Sequence, residues 1–249
     1  MKKKIVIMFV LLSGAYSNYL HAKSNDENVN KKTSPMIAID SLVKFADKNH
    51  TAYISVINSG KSDAYLIANM NEVEIKDNKL IKNKLSIKNM KDWKLFLSPT
   101  KMILRAGEEK KIKVTYNCKD NCKIDRDVIY QIPITPVPYT DKEGASSVAM
   151  AFGFSPYFIV PASESLVDYK YDIKDGMLDI ENKGNTYINA VISTCAKIQK
   201  NNCIYEYKIL SGRKMKFKLP KDMVSKGSAL MTVVNYDQSY RKTDKINFN

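Results

Sequence analysis

The chain is short of the residues from which most enzymatic sites are built: two histidines, one tryptophan and four cysteines among 249 residues. His21 lies in a leader expected to be removed, so only His50 remains. That excludes clusters of imidazole ligands for zinc or iron and leaves a nucleophilic triad with a single candidate base. The cysteines come as two close pairs, Cys118/Cys122 in CKDNC and Cys195/Cys203 in CAKIQKNNC. A four-thiolate zinc site is the rival reading, but the second spacing is too wide for a zinc knuckle. An exported chain favours disulfides closing small loops, and these leave no thiol nucleophile. Glycine and proline are sparse, at nine and eight, while 44% of the residues are hydrophobic. Real cores are therefore expected, and low complexity is not.

No apolar run approaches the ~20 residues needed to cross a bilayer. The run Ile5–Leu12 follows Lys2, Lys3 and Lys4 and precedes the small-residue site Leu20-His21-Ala22, which predicts a secretory signal over residues 1–22. Its removal takes away three lysines and no acidic residue, lowering the net charge from +14 to +11. Residues 23–35 are polar and should form a mobile arm. The lysines are spread along the chain, densest in IKDNKLIKNKLSIKNMK (75–91), and no nucleic-acid reading module accompanies them. A solvated basic surface is expected, with no nucleic-acid partner.

Nearly every later segment reads as a strand. MIAIDSLVKF, TAYISVIN, DAYLIAN, WKLFLSP and KMILRAGEEKKIKVTYN alternate apolar with polar residues, with NSGKSD read as a hairpin turn and RAGEE as a turn between strands. DVIYQIPITPVPY carries three prolines and reads as an edge or exit strand. Beyond Pro161, six short strands follow with turn residues every 8–12 positions, the signature of a β-sandwich. The prediction is an all-β protein of two immunoglobulin-like sandwiches, residues 36–161 and 162–249. SGKSD lacks the first glycine of a phosphate loop, and GFSPY is no nucleophile elbow. The pairs Glu72/Glu74 and Glu108/Glu109 sit among lysines on solvated faces, and His50 sits in a turn. Neither an enzyme nor a cofactor is expected.

Residues 147–161 stand apart, because no charge occurs between Glu143 and Glu164. One parity carries Val148, Met150, Phe152 and Phe154; the other carries Ser147, Ala149 and Ala151. A strand so long and uncharged is either buried on both faces or offered at its edge to an incomplete sheet of a partner. In the second case the bulky set would fill the partner's pockets, each side chain contributing about 1.5–3 kcal/mol when fully buried.

Pro99, then Leu104-Arg105-Ala106-Gly107-Glu108, Lys111 and Lys113, Tyr130, Pro138 and a long apolar strand ending at Pro161 together resemble the periplasmic pilus-assembly chaperones. The second half, with Asn182-x-Gly184-Asn185 and a Cys-bounded loop, resembles the branch serving colonisation-factor and common-pilus fimbriae. The resemblance implies a periplasmic chaperone that lends a strand to pilin subunits until another subunit replaces it. It also implies an outer-membrane usher as partner and self-association through the lent strand. Where that family anchors a client carboxylate, this chain has Leu42 and Pro156, leaving Lys44 as the candidate anchor. Counting back from Pro161 favours Ser147, Ala149 and Ala151 as the donor face; a bulge at Gly153 or Pro156 would favour the bulky set, which fills pockets better. The alternative is a fimbrial subunit or adhesin of the same fold, or a carbohydrate-binding surface sandwich.

Overall fold

The computed structural model describes residues 35–118, 123–137, 152–195 and 203–248. The expected signal, nearly all of the arm, Cys122, and residues 147–151 of the uncharged segment lie outside them. The described residues belong to one compact unit, Thr33–Asn249.

Alternation in the sequence becomes alternation of burial. In β3, the third strand, TAYISVIN (Thr51–Asn58), Ala52, Ile54 and Val56 are buried while Tyr53 and Ile57 face solvent. The first sandwich begins with β1 (Ile37–Ile39), β2 (Val43–Phe45) and β3, and continues with β4 (Ala64–Ala68), β5 (Asn71–Lys76) and β6 (Lys79–Lys84). After a 3-10 turn at Ile87–Asp92 come β7 (Leu95–Ser98), β8 (Lys101–Leu104), β9 (Glu109–Tyr116), β10 (Val128–Gln131), β11 (Ile134–Val137) and β12 (Tyr157–Val160). They form sheets of order β1-β3-β9-β7, β2-β12-β10-β5-β6 and β11-β4-β8. Their shared core includes Ile54, Leu66, Leu95, Leu104, Ile112, Tyr130 and Phe158.

The second sandwich contains β13 (Tyr169–Lys174), β14 (Met177–Asn182), β15 (Ile188–Ser193), β16 (Ile204–Ile209), β17 (Lys214–Lys218), a helical turn α1 (Lys221–Val224), β18 (Ser228–Asn235) and β19 (Arg241–Asn247). Its sheets run β13-β14-β17 and β16-β15-β18-β19 around a separate core that includes Leu178, Ile180, Ile188, Ile192 and Met231. Cys195 and Cys203 are bonded and close the β15–β16 hairpin. Cys118 is also disulfide-bonded, its expected partner lying outside the described residues.

The all-β, two-sandwich reading of the sequence therefore holds, while three local expectations change. NSGKSD is no hairpin, because β3 and β4 belong to different sheets. The turn carries the chain across the sandwich instead, so the alternation on either side was right and the pairing wrong. The proline-rich segment divides into two strands, and only the second is the edge expected: β10 lies between β12 and β5, Pro133 falls in the break, and β11, which carries Pro136, is the outer strand of its sheet. The β5–β6 hairpin, expected only as a solvated lysine stretch, and β19 were not anticipated as strands.

Both sandwiches close the end of one strand in the same way, with a buried asparagine in an Asn-x-Gly turn. Asn58, fully buried, donates to the Ser62 and Leu104 carbonyls and accepts from the Gly60 N–H. Asn182, also fully buried, donates to the Thr186 and Ile209 carbonyls and accepts from the Gly184 N–H. A Cβ on Gly60 would lie 2.5 Å from the Met36 nitrogen, and one on Gly184 would collide with the Leu166 carbonyl. Only glycine leaves room for the first strand of each sandwich to pass.

The seam between the two cores is held by side chains bonded across it. Asp127 accepts the Ala162 N–H at 2.9 Å and the Tyr187 N–H at 2.6 Å, and its own N–H donates to the Asn185 carbonyl at 2.9 Å. Arg126 donates to the Gly184 carbonyl and the Ser211 hydroxyl. Asn185 bridges the Asp125 and Glu164 carbonyls. Phe45 packs edge-on against Tyr187 at 5.1 Å and lies against Tyr236. Burial pushes the Asp127 carboxyl up, against the pull of its two backbone donors. With the folded value above the unfolded one, its contribution to stability is fullest below the unfolded carboxyl range. It declines as pH rises through the folded value. Asp127→Ala should cost about 1–3 kcal/mol for each buried N–H it orphans, read as a lower urea midpoint at unchanged slope. The stability difference between wild type and this variant should shrink as pH rises across the carboxylate range, since only the wild type carries the Asp127 contribution.

Candidate fimbrial-subunit interface

The uncharged segment is two structures in one. Its last part, β12, is an interior strand: antiparallel to β10, parallel to β2, with Phe158, Ile159 and Val160 all fully buried. The part before it is paired along one margin. Phe154 exchanges both backbone hydrogen bonds with Ile134 at 2.7 and 3.0 Å, and the Ile132 N–H donates to the Pro156 carbonyl at 2.9 Å. On the opposite margin, the first bond among the described residues is from the Tyr157 N–H to the Leu42 carbonyl at 2.9 Å. The reason lies in the first strand, which pairs β1 with β3 in one sheet, changes sheets over Asp40–Leu42, and joins β12 only from Val43 onward. Upstream of Tyr157, β2 no longer runs alongside. With Phe154 and Pro156 directed to the other side, strand alternation turns the Ser155 N–H and C=O toward that margin, where no backbone partner lies among the described residues.

Register runs unbroken from Val128 opposite Val160 to Ile134 opposite Phe154, so Pro156 marks no bulge. Cross-strand partners share a face, which places Phe154 on the core side with Ile134, Tyr130 and Phe158. The other parity, Ile159 with Ile129 and Val73, is buried outside the first core. The backbone of Gly153 lies close to β11: a Cβ there would sit 2.9 Å from the Ile134 carbonyl. Phe152 is 78% exposed, although its parity matches that of the half-buried Phe154.

Of the residues singled out in the sequence, Phe152 and Phe154 are described, while Val148, Met150, Ser147, Ala149 and Ala151 lie outside the described residues. Lys44 sits on β2 beside the open margin, but its Nζ is held by Asp40 Oδ2 at 2.6 Å. Leu42 is exposed and Pro156 buried. His50 occupies the turn before β3, its ring edge-on to Tyr116. Glu74 is ion-paired with Lys76 and Glu108 with Lys110. Among the described residues no three His, Cys, Asp or Glu side chains gather as metal ligands. Sequence reasoning passed over Asp127, Arg126 and Tyr187, which hold the seam below the strand. The one local signal was a charged pair placed immediately before an apolar strand.

Residues 39–161, which span both β12 and its open approach, match the family model described as the CS5 fimbrial protein N-terminal domain. The first sandwich is thus similar to that domain along nearly its whole length. Over 170 residues the chain is 24% identical to an "uncharacterized 25.9 kDa protein in CS5 3'region" of Escherichia coli, covering 67% of this chain and 73% of that one. The fold is shared with a chain from the structure of the Salmonella enterica SafA pilin in complex with the SafB chaperone. That match has 12% identity, 86% of this chain, 96% of that one and a TM-score of 0.52. It is shared also with the periplasmic chaperone SfaE, at 10% identity, 86% and 99% coverage and a TM-score of 0.51. In the first sandwich, Gly153→Val should displace the pairing at Phe154 and cost about 1–3 kcal/mol. The check is amide exchange, with Ile134 and Phe154 losing protection while Tyr130 and Phe158 keep theirs.

Proposed function

We propose that this protein is a periplasmic chaperone of fimbrial subunits that lends the approach to β12 as a donor strand. The observation that carries the proposal is the one-sided pairing of residues 152–156. Main-chain groups along the open margin can receive an extended strand of a client, and Phe152 stands clear of its own core to enter the client's. The bulky positions Val148, Met150 and Phe152 are assigned as the donor face, because Phe152 is 78% exposed, whereas Phe154, expected with them, stays half-buried and paired with Ile134. No bond is made or broken in such an exchange, so neither catalysis nor a cofactor is required. Residues 36–161 would provide the donor domain and residues 162–249 the second, with the signal removed on export. The usher is the natural acceptor of the loaded complex, and self-pairing along the same margin would cap the strand when no client is present. A client carboxylate reaching Lys44 must compete with Asp40.

The test is co-expression with CS5-type fimbrial subunits, followed by co-purification from the periplasm. Phe152→Asp should lower client recovery at least tenfold, about 1.4 kcal/mol or more, with an unchanged thermal midpoint because the side chain is exposed. Recovery undiminished by Phe152→Asp but abolished by Ala149→Asp or Ala151→Asp would assign the donor face to the other parity. Recovery unaffected by all three would reject the donor-strand reading.

A further inference from the structure

The densest lysine stretch of the chain holds a feature that its composition conceals. The 3-10 turn Ile87–Asp92 buries none of its residues. Ile87 is 84% exposed, the highest value among the large exposed hydrophobic residues, and Met90, one turn later, is 56% exposed. Scattered surface apolar groups need no explanation, but this pair is held outward by built structure. The Asn89 side chain accepts the Ser86 N–H at 2.7 Å and the Trp93 indole N–H at 3.0 Å, and donates to the Lys84 carbonyl at 3.2 Å. Trp93 turns inward against the first core. The backbone leaves helical geometry at Asn89, so the apolar pair and the tryptophan point to different sides.

The surroundings have one sign. Lys84, Lys88, Lys91 and Lys94 are exposed, and the only acidic residue from position 79 to 94 is Asp92. The neighbouring strand β6 is a sheet edge, but its exposed lysines oppose strand addition. Two exposed apolar side chains standing among exposed lysines match a soft planar surface of negative charge: the lysines meet phosphates while the apolar tips enter the headgroup–acyl boundary.

We propose that the Ile87–Met90 turn docks the protein on anionic phospholipid membranes. This is independent of the donor strand, which lies in a different segment. The test is co-sedimentation of the processed protein, purified from periplasm, with neutral phosphatidylcholine vesicles and with vesicles containing about one third phosphatidylglycerol, a composition carrying the anionic surface potential that attracts basic segments. Binding should be confined to the anionic vesicles and weaken steeply with salt. It should fall at least tenfold in Ile87→Asp/Met90→Asp and in Lys88→Glu/Lys91→Glu. Circular dichroism and client recovery should match wild type in both, so failure here is distinguishable from failure of the chaperone reading. No sedimentation of the wild-type protein, equal binding to neutral vesicles, or wild-type binding by either double variant overturns the proposal. So does capture of an acidic protein partner through these residues without vesicle binding.

Discussion

The architecture depends on a single mismatch of length. The first strand reaches the edge of β12 only at Val43, whereas the partner on the other side, β10 with its continuation β11, runs on to Ile134 and beyond. Where both neighbours are present the segment is a fully buried interior strand. Where only one is present, the same uncharged sequence keeps an open main-chain margin. An open apolar edge is a hazard that folded proteins normally blunt with charge, proline or a covering element. Here the segment has no charge, its proline sits where the carbonyl and not the N–H is used, and the covering element has crossed to the other sheet.

Holding such an edge in a defined place requires a rigid base. Two cores, each closed by a buried asparagine in an Asn-x-Gly turn, give each sandwich its own frame. The seam then ties the frames together by hydrogen bonds that cross between them. Asp127 is the centre of that seam, a carboxylate out of water that takes backbone donors from both Ala162 and Tyr187. A buried carboxylate with paired donors specifies geometry more than it adds stability, because its desolvation offsets much of what the bonds contribute. That suits a joint that must keep two domains aligned beneath a strand.

The surface divides in a similar way. Most of the lysines are what a basic composition suggests, solvated or paired with a carboxylate nearby, as Lys76, Lys110 and Lys170 are. The stretch around Ile87 differs because two apolar side chains project through the lysines and are braced there by Asn89. The composition of that stretch was plain from the start. The direction of its apolar residues was not, because a 3-10 turn interrupted at one residue leaves no regular period to read.

The sequence alone was enough to establish the strand-rich class, the division into two sandwiches and most strand positions. Period-two alternation is local: it states which face of a strand is buried without reference to any partner, as in TAYISVIN. It was also enough to mark residues 147–161, since an uncharged run is visible in any register. Pairing is another matter. The hairpin expected at NSGKSD, the half of the proline-rich segment that forms an edge and the exposure of Phe152 all depend on which main-chain groups meet, and these are chemically the same at every residue. Tertiary structure decided them through contacts such as Asp127 with Tyr187, 60 residues apart in sequence, and Phe154 with Ile134.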